Sequence, residues 1–135
     1  MQERRTLMAT FDELVNSRRA WIDDVLQPWC RDAALADLLK AETEWNDIAG
    51  RVDSAATLWT WAWSRFPALV HEELSGVNET RELHLTLRDG REVVGYPDAR
   101  SCELGRLLLL ESSISGNQEH GPFSIDEIAA VEVVE

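Results

Sequence analysis

Three histidines, two cysteines and a surplus of carboxylates are the side chains from which catalysis or metal binding would have to be built in this 135-residue chain. A zinc helix needs two histidines one turn apart with a glutamate beside the first. His71-Glu72-Glu73-Leu74 has the first histidine and lacks the second, and His84 and His120 stand alone. Cys30 and Cys102 lie in different halves, form neither a Cys-x-x-Cys pair nor a disulfide framework, and read as free thiols. The adjacent acids Asp23-Asp24 and Glu72-Glu73 are of the kind that any solvated helix face carries, with no sign of a pocket to shift their proton affinity. No nucleophile pairs with a base, so the expectation is a nonenzymatic protein with no cofactor and no metal.

Recognition is the remaining chemistry. Arg88, Arg91, Arg100 and Arg106 are cations of the C-terminal half, and Arg88, Arg91 and Arg106 would form an RNA-binding edge if the fold gathered them. Salt pairing with nearby Glu92, Asp98 and Glu103 is the competing expectation. The chain carries 25 acidic against 13 basic residues, a formal charge of -12, with -5 in residues 1–76 and -7 in residues 77–135. Nucleic-acid affinity comes largely from neutralised phosphates, so this field disfavours it and favours a protein partner with a basic surface. Glu92, Asp98 and Glu103 are the acidic contact candidates for such a partner. Trp61, off the Trp59–Trp63 spacing, is the aromatic one. The plainer use of the acidity is solubility alone.

The elements that must position these groups divide the chain near residue 76. In the first part, Thr10 and Glu13 have capping-box spacing and predict a helix start. Phe11, Leu14, Val15, Ile22, Val25, Leu26 and Trp29 recur at three- and four-residue intervals and predict its core face. Pro28 predicts a break or kink. A second helix is expected from about Pro28 to Val52, with Leu35, Leu38, Leu39, Trp45, Ile48 and Val52 inward. Residues 57–63 alternate like a strand, but Trp59, Trp63, Phe66, Val70 and Leu74 continue a helical stripe, so a third helix is expected, kinked near Pro67 and ended by Ser75-Gly76.

From Val77 the period changes to two. Leu83, Leu85 and Leu87 alternate with polar residues, Asp89-Gly90 predicts a tight hairpin, and Arg91 to Tyr96 is its return strand. Gly95 predicts a bulge or sharp bend within it. Arg106 to Glu111 reads as a strand buried on both faces, Phe123-Ser124-Ile125 as a short strand, Asp126-Glu127-Ile128 as a helical turn and Ala130 to Val134 as the last strand. Residues 112–122 are expected to be a long, mobile connection. The fold expected is α+β: a tryptophan-rich helical half, 1–76, packed on a five-stranded antiparallel small barrel, 77–135, as one cooperative unit.

The run Leu83-x-Leu85-x-Leu87-x-Asp89-Gly90-Arg91-x-Val93-x-Gly95, the Leu107–Leu110 strand and Ile125-Asp126-Glu127-Ile128-x-x-Val131-x-Val133 resemble the strand order of Sm-like and SH3-like small barrels. With Asp98, Arg100 and Glu111, the same arrangement is similar to the Rho-binding antiterminator family. That likeness implies an acidic barrel surface set against a protein's RNA-binding site. The loop from Pro97 to Glu103 has no Asn where Sm-like proteins hold a base, so the resemblance does not carry over ring assembly or uridine recognition.

The N-terminal stretch meets Asp12 and Glu13 before any apolar run of signal-peptide length, and the longest aliphatic run, Leu107 to Leu110, is far short of the roughly 20 residues that span a bilayer. A cytoplasmic location with no membrane crossing is expected. The functional expectation is a nonenzymatic protein-interaction or regulatory role, immunity-like or mimicking nucleic acid, in which an acidic small-barrel surface binds a cytoplasmic protein partner. An Sm-like RNA-binding module is the alternative, and a small-molecule sensor with a pocket between helices and barrel is the third.

Overall fold

The computed structural model describes residues 10–114 and 116–134, so the first nine residues of the expected helical half lie outside it. Thr10 caps α1 (Phe11–Trp21): its hydroxyl accepts the Glu13 amide, as the Thr10–Glu13 spacing predicts. The chain continues through a π turn (Ile22–Leu26) into α2 (Gln27–Asp32). Pro28 sits in the first turn of α2, where its missing amide costs least, and the backbone instead turns extended at Ala33 and Ala34. The single helix expected over Pro28 to Val52 is therefore three pieces: α2, α3 (Leu35–Thr43) and α4 (Trp45–Ala49).

The inward face predicted for the first helix is a correction. Leu26 and Cys30 are buried and Ile22 packs partly on the core, but α1 buries no residue, and Phe11, Leu14, Val25 and Trp29 are exposed. Apolar spacing specifies that two residues share a face; it does not specify that the body of the protein covers the face. Leu39 and Val52, also expected inward, are exposed, while Leu38 and Trp45 are buried.

α5 (Leu58–Trp63) is helical, as the longer stripe predicts. Leu58, Trp59, Ala62 and Trp63 are all buried, and these positions share one face of a helix but would split between the two faces of a strand. The stripe does not run on to Leu74: the helix stops before a 3-10 turn at Pro67–Leu69, Val70 bridges to Val77, and Leu74 is exposed.

Five antiparallel strands follow: β1 (Leu83–Leu87), β2 (Glu92–Pro97), β3 (Arg106–Ser113), β4 (Gly116–Ser124) and β5 (Ile128–Val133), in the order β4-β3-β2-β1-β5. Gly90, at φ 92°, makes the β1–β2 turn, where Asp89 accepts the Arg91 amide and pairs with its guanidinium at 2.8 Å. β2 pairs with β1 as far as Gly95 and with β3 from Tyr96, so it belongs to both halves of the sheet. The bend expected at Gly95 is a close crossing, because a Cβ there would lie 2.8 Å from the Leu110 carbonyl oxygen. Among the described residues no pairing joins β4 to β5, so the sheet is open and not the closed barrel expected.

The long connection expected at 112–122 is instead the far half of the β3–β4 hairpin, with Glu111 opposite Gln118 and Ser112 opposite Asn117. Its residues are polar on both faces because the hairpin projects past the core, so no alternation betrayed it. The 3-10 turn at Ile125–Glu127 carries a full capping box from Ser124 and Glu127, at the position predicted for a helical turn.

One apolar cluster joins the two parts. Leu83, Leu85, Leu87, Leu107, Leu109, Ile125 and Ile128 from the sheet meet Leu38, Leu58, Trp63 and Leu69 from the helical part, each burial contributing about 1.5–3 kcal/mol. A polar corner fixes the junction. Ala34 cannot cap α3 with its side chain, and the Asp126 carboxylate accepts the Leu35 amide at 3.0 and 3.1 Å from across the chain. Arg88 Nε in turn donates to the Asp126 carbonyl at 2.8 Å. Arg65 donates to the carbonyls of Cys30, Ala33 and Ala62, closing the C-terminal end of α2 against α5. Among the described residues no helix is long and apolar enough to cross a membrane.

Replacing Asp126 with Ala is expected to lower stability by about 1 kcal/mol in urea unfolding, with Asn recovering most of the loss, because a single acceptor still caps Leu35. Gly95→Ala is expected to cost about 1–3 kcal/mol, since the new methyl group meets backbone on β3 and cannot be displaced by a rotamer change.

Candidate functional site

A cavity of about 450 Å³ opens at the seam between α3, α5 and the turn Ala99–Ser101 that follows β2. Local sequence accounts for each wall. α5 presents the buried indoles of Trp59 and Trp63. α3 places Glu42 beside Trp59, and the Trp59 indole nitrogen donates to its carboxylate. Asp98 caps the Ala99–Ser101 turn by accepting the Arg100 amide and the Ser101 hydroxyl. Cys102, Glu103 and Leu104 then complete the rim.

Two backbone features hold this rim against the helices. Leu104 has a positive φ of 54°, uncommon for a branched residue and costing about 1–2 kcal/mol, and Gly105 follows at 74°. A Cβ at Gly105 would press on the end of the Leu35 side chain and lie 3.0 Å from the Trp59 ring, so glycine, at its positive φ, lets the loop seat closely on α3 and α5.

Both thiols are held above their ordinary proton affinity. Burial pushes Cys30 up from 9.0 to about 11, against a weaker pull from Arg65. Burial also pushes Cys102 up to about 11, partly offset by the Leu108 amide and reinforced by the Asp98 and Glu79 carboxylates. Both cysteines are free, as their spacing predicts. Among the described residues no group of three His, Cys, Asp or Glu side chains is placed to hold a metal ion.

The residues singled out by sequence scatter. Trp61 is half-buried and packs edge-on against Trp45, with ring centroids 6.1 Å apart, while Trp21 and Trp29 are the more exposed indoles. Glu92 pairs with His84 at 3.0 Å and Asp98 serves its own turn, with Arg100 at 3.6 Å. Glu103 alone of the acidic set lines the cavity. Arg91 is engaged by Asp89 and Arg88 by the Asp126 carbonyl, while Arg106 is exposed at the start of β3, opposite Ser124. Salt pairing with the expected carboxylates is found for Arg100, on Asp98; Arg91 pairs instead with Asp89, and Glu92 with His84. Sequence reasoning did not single out Glu42 or the Trp59–Glu42 bond, because no fixed spacing links a residue on α3 to one on α5.

The chain matches no protein-family model, and neither a curated protein nor a solved structure is significantly similar to it.

The raised thiols set a pH dependence. Below about pH 9 they are protonated in both native and unfolded chains; between about 9 and 11 only the unfolded chain releases the protons, so stability falls as pH rises through that window. Urea unfolding on either side of the window is expected to show this fall. A thiol reagent at mildly alkaline pH is expected to modify the native chain far more slowly than the unfolded one, and equal rates would contradict the burial assigned to both cysteines.

Proposed function

We propose that this protein is a nonenzymatic interaction module that binds a protein partner in the cytoplasm through the apolar face of α1 and α2. The observation that carries the reading is the exposure along that face: Phe11 is 78% exposed, Leu14 58%, Trp21 38%, Val25 51% and Trp29 43%. Exposed apolar residues recurring along one segment, two of them tryptophans, have the composition of interface anchors, and exposed apolar surface of this kind marks interaction sites. Asp12, Glu13, Asp23 and Asp24 lie on the same segment within a chain of net charge -12, so the fitting partner presents an apolar groove rimmed by basic residues. Arg18, over the Trp21 ring at 5.8 Å, holds one anchor in place.

The sheet order supports the likeness to Sm-like and SH3-like small barrels, since β2 bends at Gly95 to serve both halves as a strand of such a barrel does. Taken with the acidity, that likeness favours a regulator that mimics nucleic acid or an immunity protein that neutralises a basic toxin. Engagement of Arg88 and Arg91 within the fold weighs against an RNA site.

Tagged protein passed through native cytosol with ribonuclease is expected to retain a discrete protein at stoichiometric level. A Trp21→Glu, Val25→Glu double variant is expected to weaken that capture by about tenfold or more while unfolding at nearly the same urea concentration, because exposed positions carry little stability. Equal capture by the variant, or none by the wild type, would overturn the proposal. RNA recovered at low salt and lost on replacing Arg88, Arg91 and Arg106 would assign an RNA-binding module instead.

A further inference from the structure

We propose that the cavity between α3, α5 and the Ala99–Ser101 turn binds a small organic cation, an ammonium group carried on an apolar or aromatic body. Its volume of about 450 Å³ is within the range of small-molecule sites, and its walls combine indole and aliphatic surface with a few polar groups. The inference stands apart from the protein-partner reading, because the cavity shares no residue with the exposed face of α1 and α2.

Charge decides the class of ligand. Glu42 and Glu103 line the cavity against a single cation, Arg100. The Arg100 guanidinium is 90% exposed and lies 3.6 Å from Asp98, so its charge is directed to water and to a carboxylate of its own loop. An ionised carboxylate has about four acceptor sites, and the Trp59 indole occupies one of those on Glu42. An anion entering the cavity would meet two carboxylates. A neutral ligand would strip water from Glu42 and return no opposite charge, which is costly for a half-buried ion. A cation answers both conditions, and the indoles of Trp59 and Trp63 line the space it would enter.

Independent features agree. Burial dominates the raised Cys102 thiol and the Leu108 amide opposes it; below these, the carboxylates of Asp98 and Glu79 act on this wall residue in the sense of a negative local field. Leu104, at the rim, is held at a positive φ that its side chain disfavours, and strained backbone of this kind concentrates at ligand sites. The Trp59–Glu42 bond orients the carboxylate before any ligand arrives, which lowers the ordering cost of binding.

The test uses the full chain with three probes of one shape: 2-phenylethylammonium, neutral 2-phenylethanol and anionic 3-phenylpropanoate. Affinities are read by calorimetry, and the site by the indole N–H resonance of Trp59. The ammonium probe is expected to saturate at millimolar concentration, to shift the Trp59 resonance and to bind about tenfold or more tightly than the alcohol, with the anion weakest. Glu42→Gln keeps an acceptor for the indole and removes the charge; it is expected to abolish the preference for the ammonium over the alcohol. If that variant does not fold, Glu103→Gln at the exposed rim is expected to reduce the preference by about threefold. Failure to saturate, an unmoved Trp59 resonance, an alcohol or anion that binds as tightly, or a preference that survives removal of the carboxylate charge would overturn the proposal.

Discussion

The junction of the helices with the sheet depends on one polar corner, in which Asp126 caps α3 and Arg65 closes α2. Neither helix end is satisfied by its own sequence: α3 begins after Ala34, which has no capping side chain, and α2 ends at carbonyls held by a residue more than 30 positions on. A helix end without partners leaves amides or carbonyls with no hydrogen bond from the chain. Asp126 thereby makes the start of α3 conditional on the sheet, while Arg65 ties the end of α2 to α5. Burial lowers the proton affinity of Arg65, and Asp126 and Asp32 oppose that effect, so the same carboxylate that caps α3 also steadies the guanidinium that closes α2. The leucine-rich core supplies most of the driving force, but it is nondirectional, and this corner fixes where the helices sit on it.

Two glycines perform the matching task for the backbone. Gly95 lets β2 pass against β3 and change partner, and Gly105 lets the following loop settle onto α3 and α5. Between them the chain makes the Ala99–Ser101 turn and the Leu104 rim. The cavity wall is thus the stretch between two points of close approach, one against the β3 backbone at Gly95 and one against the Leu35 and Trp59 side chains at Gly105. This explains how a loop with little regular structure can form a defined wall.

Much of the sheet was legible because its signals are local: Leu83, Leu85 and Leu87 alternate, Asp89-Gly90 suits a tight turn, and Gly95 interrupts a strand. The β3–β4 hairpin was not, because Asn117, Gln118 and Glu119 extend beyond the core and leave no apolar period to read. In the helical part the spacing of Phe11, Leu14, Val25 and Trp29 marked a shared face correctly, yet spacing is silent on whether the chain itself covers that face. Glu103 was singled out for its charge and does line the cavity. Glu42 and Trp59 were not singled out as a site, because their meeting is set by how α3 crosses α5, a tertiary fact with no fixed interval in sequence.

An open sheet has two strands able to accept another chain's backbone, and in this protein each is hindered differently. On β4, Pro122 removes an amide, and Gly121, at φ 111°, departs from extended geometry close against the Leu107 carbonyl. Beside β5 lies the Pro67–Leu69 turn of the helical part. Among the described residues both margins are thus hindered as long, unbroken rows of backbone donors and acceptors, the template on which fibrous stacking grows. A protein that displays tryptophan and phenylalanine to water carries an inherent risk of uncontrolled self-association. Blunted margins confine its stickiness to side chains, where shape and charge can select a companion.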